Sequence, residues 1–163
     1  MSRLLKILTY PDPVLRKKSS PVATIGKGEH ELIRAMIATM YVEEGVGIAA
    51  PQVGVLQRIL IASPDAHPGE EIVLINPVIV ETFGEQVASE GCLSLPGISG
   101  EVRRAKKIEY TYLDFDGKEL KGQASDFLSR IIQHELDHLD GKLLIDRVDF
   151  DQRQALLSTY QRL

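Results

Sequence analysis

The run Gln133-His134-Glu135-Leu136-Asp137-His138 places two imidazoles and a carboxylate within a short stretch of predicted helix. Histidines four residues apart share one helical face, about 6 Å apart along the axis, so both can bind one metal ion. Glu135 is rotated by about 100° from His134 and can flank that ion without having to bind it. A carboxylate so placed can take a proton from water that the ion has made acidic. A lone histidine in an apolar stretch is more often a buried structural residue, but the pair with a glutamate between favours metal-dependent hydrolysis.

The element that must carry these groups is easy to delimit. Ser125 serves as its N-cap, Asp126 sits in the positive first turn, and Gly141 fits the position just past the end. Phe127, Ile131 and His134/His138 make one stripe, and Leu128, Ile132, Leu136 and Leu139 another, which predicts a central, buried helix. Ile131 and Phe127 lie about one and two turns before His134 on the metal-facing stripe, where they can line an apolar substrate pocket. Arg130 is expected to close that pocket with its methylene stem while its charge stays solvated.

Catalytic zinc-like sites use three protein ligands and keep one position open, so a third ligand is needed. The extended motif with a third histidine fails, because Gly141 stands where its glycine would but Leu144 holds the histidine position. No glutamate follows Glu135, whereas Asp146 and Asp149 remain available. Upstream, Glu90-Gly-Cys92-Leu-Ser94-Leu-Pro-Gly97 contains the sole cysteine. A thiolate is a strong ligand, and a divalent cation deprotonates it outright. Cys92 therefore ranks above the aspartates.

A second glycine-rich stretch, Gly45-Val46-Gly47-Ile48-Ala49-Ala50-Pro51-Gln52, matches a dinucleotide-binding fingerprint in letters only. It follows a helix and runs into Pro51, whereas the fingerprint follows a strand and opens a helix. Small residues instead allow another backbone, such as a peptide substrate, to approach closely. Gln52 can present an amide donor there, and a buried structural glutamine is an equal reading.

The remaining elements fit one domain spanning residues 1–163. Glu29 to Tyr41 has helical periodicity and should stop near Gly45, with its methionines packing in the core. The first 28 residues, broken by prolines and glycines, should wrap irregularly on the body. Arg58 to Ala62, Ile72 to Ile75 and Val78 to Val80 read as strands, with Asn76-Pro77 as a break. Lys107 to Phe115 alternates, and Asp116-Gly117 turns it into Glu119 to Ala124. Asp151 to Leu163 reads as a short C-terminal helix. Strands clustered between helices predict an α+β fold: mainly antiparallel strands around the central metal-binding helix, with an N-terminal amphipathic helix and a short C-terminal one.

A net charge of −4 leaves no basic footprint for nucleic acid, and the Arg103 to Lys107 cluster reads as a solvated edge or turn. No apolar run reaches membrane-spanning length and no signal-peptide core opens the chain, so a cytoplasmic location is expected. One cysteine rules out an intrachain disulfide and suits a reducing compartment.

Taken in order and spacing, Gly45-Val-Gly-Ile-Ala-Ala-Pro-Gln52, Glu90-Gly-Cys-Leu-Ser94 and Gln133-His-Glu-Leu-Asp-His138 resemble the three signature motifs of peptide deformylases. The resemblance covers nearly the whole chain, including the Tyr10-Pro-Asp-Pro13 opening; Ile48 stands where leucine is commoner. It implies removal of the N-formyl group from the initiator methionine of nascent chains, with release of formate. By motif it makes Cys92, His134 and His138 the metal ligands and Glu135 the general acid/base. Gln52 and the backbone N–H of Leu93 would stabilise the oxyanion. Val46, Gly47 and Gly91 would offer backbone contacts to an extended peptide, and Arg104 would hold it beyond the methionine. The implied cofactor is one divalent ion, Fe(II) in cells, with Zn, Ni or Co as substitutes. Among partners, formylmethionyl nascent peptides and a transient ribosome contact are implied, and a monomer of the shorter class with a helical C-terminus is expected.

Overall fold

The computed structural model describes residues 3–163. Its centre is a five-stranded antiparallel sheet, and the residues of the short strand Ile59-Leu60-Ile61-Ala62 explain why. All four are fully buried, because helices cover both faces and the strand alternation sends neighbours to opposite helices. Ile59 and Ile61 meet α1 (Lys27–Val42), packing with Ile33, Met36 and Met40. Leu60 and Ala62 meet α2 (Asp126–Leu139), packing with Ile131, Ile132 and Leu139. The expected amphipathic helix with core methionines and the expected buried central helix thus form the two outer layers.

In chain order the strands are β1 (Gly47–Ala49), β2 (Ile59–Ala62), β3 (Ile72–Phe83), β4 (Gln86–Gly91), β5 (Ser99–Arg104), β6 (Lys107–Leu113) and β7 (Glu119–Ser125). The main sheet has the order β1-β2-β3-β6-β7, and β4-β5 form a separate hairpin. The α+β expectation with antiparallel pairing holds. A third helix, α3 (Phe150–Gln161), packs Leu156, Leu157 and Tyr160 on a smaller core of Leu15, Leu95, Ile98, Val102 and Leu143 to Ile145.

Two strand readings need correction. Asn76-Pro77 does not separate two strands; it forms an irregularity within β3, where the register on β6 shifts between Ile75 and Val78. Asn76 adopts φ 51°, which asparagine tolerates, and its side-chain amide pairs with both backbone groups of Val22 at 2.8 and 3.0 Å. The β4-β5 hairpin was not expected at all. Gln86-Val-Ala-Ser-Glu-Gly91 has little apolar alternation, and the Arg103 to Lys107 cluster is partly strand rather than a wholly solvated turn.

At the ends of α2, Asp126 itself has φ 55° and the Ser125 side chain makes no capping bond. The other end is tightly specified. Gly141 has φ 72°, and a Cβ there would fall inside contact distance of the Arg16 carbonyl. Gly141→Ala should therefore cost at least about 1 kcal/mol, from the left-handed backbone alone. A lowered urea midpoint at unchanged slope checks this.

Candidate active site

The residues of the candidate site come from three places that the fold brings together along α2. The loop after α1 and strand β1 supply Gly45 to Gly47, the β4 end and following loop supply Glu90 to Leu93, and α2 supplies Phe127 to Glu135. Together they line a cavity of about 460 Å³. Val46, Gly47, Gln52, Gly91, Cys92, Leu93, Phe127, Arg130, Ile131, His134 and Glu135 all border it.

Cys92, His134 and His138 offer ligand atoms that all lie within 4.8 Å of one another. His138 Nε2 stands 3.3 Å from Cys92 Sγ. His134 donates from Nδ1 to Glu90 Oε1 at 2.9 Å, which leaves the Nε2 lone pair free for a cation. Burial alone would push the Cys92 thiol up, but the His138 and His134 rings more than reverse this and hold it well below the ordinary thiol range. The thiolate so favoured is the ligating form. Asp146 and Asp149, the alternative third ligands, are engaged elsewhere: Asp146 pairs with Arg16 and Arg153, and Asp149 caps α3.

Beside the cluster, Glu135 is buried, and its Oε1 has no partner among the described residues. Burial, opposed by the two histidines, lifts its carboxyl to about 7, a value matched to proton transfer near neutrality. Gln52 is held by its own oxygen, which accepts the Ala49 N–H at 2.9 Å. Its amide nitrogen therefore faces the site, donating to Ser94 Oγ at 3.1 Å and lying 3.7 Å from Cys92 Sγ. The donor set fits a divalent cation: one thiolate, two imidazoles with one tautomer fixed, and an unpartnered buried carboxylate oxygen alongside.

Comparison with known proteins agrees with this geometry. The family model for polypeptide deformylase matches residues 4–154. A peptide deformylase from Thermodesulfovibrio yellowstonii is 46% identical over 162 residues, covering 97% of each chain. One from Halothermothrix orenii is 49% identical over 146 residues, covering 89% of this chain and 94% of the relative. The chain belongs to the peptide deformylase family. A crystal structure of a peptide deformylase from Legionella pneumophila superposes with a TM-score of 0.94 at 39% identity, covering 98% of this chain and 95% of that one. The three-helix, antiparallel fold is that of the deformylases, and the activity is hydrolytic deformylation of peptides.

Two residue expectations are corrected by the geometry. Arg104 does not reach the cavity to hold a peptide; its side chain is 4% exposed and is bound to Glu90 and Asp137. All three of its guanidinium nitrogens donate to these two carboxylates. Arg130 does border the cavity, but its charge is buried rather than solvated, ion-paired with Glu90 and bonded to the Val102 carbonyl at 2.9 Å. Glu90 and Ser94 also belong to the site, Glu90 through His134 and Ser94 through Gln52, although residue type alone does not mark them within their motif. A buried glutamate two residues before the cysteine gives no periodic signal, and its role depends on partners far along the chain.

Gly47 joins the two halves of the site. A Cβ there would stand 2.6 Å from Glu135 Oε2 and 2.8 Å from Ile131 Cγ2. Gly47→Ala should displace the Glu135 carboxylate and lower kcat/KM by about 100-fold, the scale of an ångström misplacement. Steady-state deformylation checks the loss, with circular dichroism and metal content expected to stay at wild-type values.

Proposed function

We propose that Cys92, His134 and His138 hold one divalent cation and that Glu135 is the general acid/base for deformylation of N-formylmethionyl peptides. The observation that carries the reading is the convergence of those three ligand atoms beside the unpartnered oxygen of buried Glu135. When bound, the cation supplies a Lewis acid that makes water acidic enough to attack at neutral pH. Glu135 takes the proton of the attacking water and later returns it to the departing amine, so that formate and a free N-terminus leave. The Gln52 amide and the Leu93 N–H donate to the formyl oxygen as negative charge develops on it.

Val46, Gly47 and Gly91 line the cavity from two sides and would pair with an extended peptide backbone. Ile131 and half-exposed Phe127 form apolar walls suited to a methionine side chain. The crowding of Gly47 against Glu135 and Ile131 supports selection of a small formyl carbon over bulkier acyl groups.

For the ion we propose Fe(II) in cells, with Zn, Ni or Co as working substitutes. Zinc ranks above iron in intrinsic affinity, so occupancy follows availability as well as the ligand set. The family supports this choice. No helix among the described residues is long and apolar enough to cross a membrane. A cytoplasmic monomer that meets its nascent substrates at the ribosome completes the reading.

The experiment is anaerobic purification with metal analysis, coupled to formate release from a formyl-Met peptide and compared with an acetyl-Met peptide. Equal cleavage of both would favour a general metal-dependent amidase instead. Glu135→Gln should retain the metal and lose about 100- to 10,000-fold in turnover; full activity would remove its role. Cys92→Ser should weaken metal binding, since a hydroxyl is a poorer ligand at neutral pH. Unchanged metal content and activity in that variant would return the third-ligand question to other residues.

A further inference from the structure

One charged group on the cavity wall takes no part in the chemistry above. Arg130 is 3% exposed, and its guanidinium is spent on other parts of the protein. It stands four residues before His134 on α2, so both side chains leave the same face one turn apart. They end on the same carboxylate: Arg130 Nη1 donates to Glu90 Oε2, and His134 Nδ1 donates to Glu90 Oε1. The same guanidinium reaches both strands of the hairpin. Nη1 donates to the Val102 carbonyl of β5 at 2.9 Å, and Nη2 to the Gln86 carbonyl of β4 at 3.3 Å.

The hairpin matters because β4 ends at Gly91 and the next residue is Cys92. We infer that Arg130 is a positioning residue that locks the β4-β5 hairpin to α2 and so sets where Cys92 stands relative to His134 and His138. The inference rests on those three residues being the ligands. Arg104 also holds Glu90, donating to both of its oxygens at 2.9 Å, so the carboxylate has a second cationic partner. What Arg130 adds is a single rigid group joined to β4, β5 and α2 at once. A lysine carries charge on a flexible stem and cannot reproduce the planar fork. A methionine keeps the apolar stem against the cavity but leaves the Val102 carbonyl and Glu90 Oε2 each short of a donor.

The test uses Co(II) as the probe, with the full chain as wild type, Arg130→Met and Arg130→Lys. Affinity is read by competition with a chelator, and ligand geometry by the visible absorption of the loaded protein. Arg130→Met should keep the circular dichroism of the native apo protein. It should bind Co(II) about 10- to 100-fold more weakly, the scale for groups that orient ligands, and show an altered visible band. Arg130→Lys should fall between it and wild type. Wild-type affinity in folded Arg130→Met overturns the inference. Should that variant not fold, Arg130→Lys decides: weaker binding with an altered band supports the role, and wild-type values overturn it. Failure of the wild type to bind one Co(II) per chain would instead remove the ligand assignment itself.

Discussion

The buried carboxylate of Glu90 is the interaction on which the site depends. Burial acts to raise its pKa, yet hydrogen bonds from Arg104 and His134 outweigh this and bring it down to about 2. A charge so deep in the protein is tolerable only when each lone pair has a donor. Glu90 meets that condition with donors from Arg104, Arg130 and His134. Arg104 is held in turn by Asp137, which also pairs with Arg147. The helix, the hairpin and the chain after α2 are therefore joined through one chain of charges. Breaking such a buried pair by removing one partner costs about 3–5 kcal/mol, because the remaining charge is left uncompensated. The same network fixes the His134 ring, so fold stability and ligand direction have a common origin.

A second constraint is the thinness of the layer between substrate and core. Strand β1 lies at the edge of the sheet, with Ile48 facing α1 while Ala49 packs in the α2 core. Its first residue, Gly47, lies against Glu135. A strand that lines the cavity with its backbone and packs directly on α2 leaves no room for a side chain at that point. The requirement for glycine thus arises from packing rather than from an unusual backbone angle, since Gly47 is absent from the positive-φ residues while Gly141 is among them. The small residues here bring the chain close to Glu135, and in the proposed function their backbone groups would also meet a peptide.

Much of this was legible from residue types and spacing. The histidines, the intervening glutamate and the single cysteine carry chemistry that few other residues could supply, and helical periodicity places Ile131 and Phe127 beside them. The sheet was legible wherever one or both faces meet a helix, as in β2 and β6. Hairpin β4-β5 was not, because most of its side chains face solvent on β4 and the partners of its buried ones lie dozens of residues away. Asn76-Pro77 misled for a related reason. Both residues commonly mark turns, and only the distant Val22 backbone makes a strand irregularity the better use of them.

Arg103 and Arg104 show what periodicity omits. They are neighbours in sequence and identical in type, but their side chains are 66% and 4% exposed. Along β5 the pattern alternates strictly, with Gly100, Val102 and Arg104 buried and Ser99, Glu101 and Arg103 exposed. Parity from Val102 puts Arg104 on the inner face as soon as the segment is recognised as a strand. Hydropathy opposes that placement, because transferring an unpaired guanidinium inward is unfavourable. The opposing term disappears only when Glu90 and Asp137 arrive from β4 and α2, contacts set by tertiary structure. A charged residue's face can therefore be read from its strand, whereas the free energy that permits it depends on partners that local sequence does not reveal.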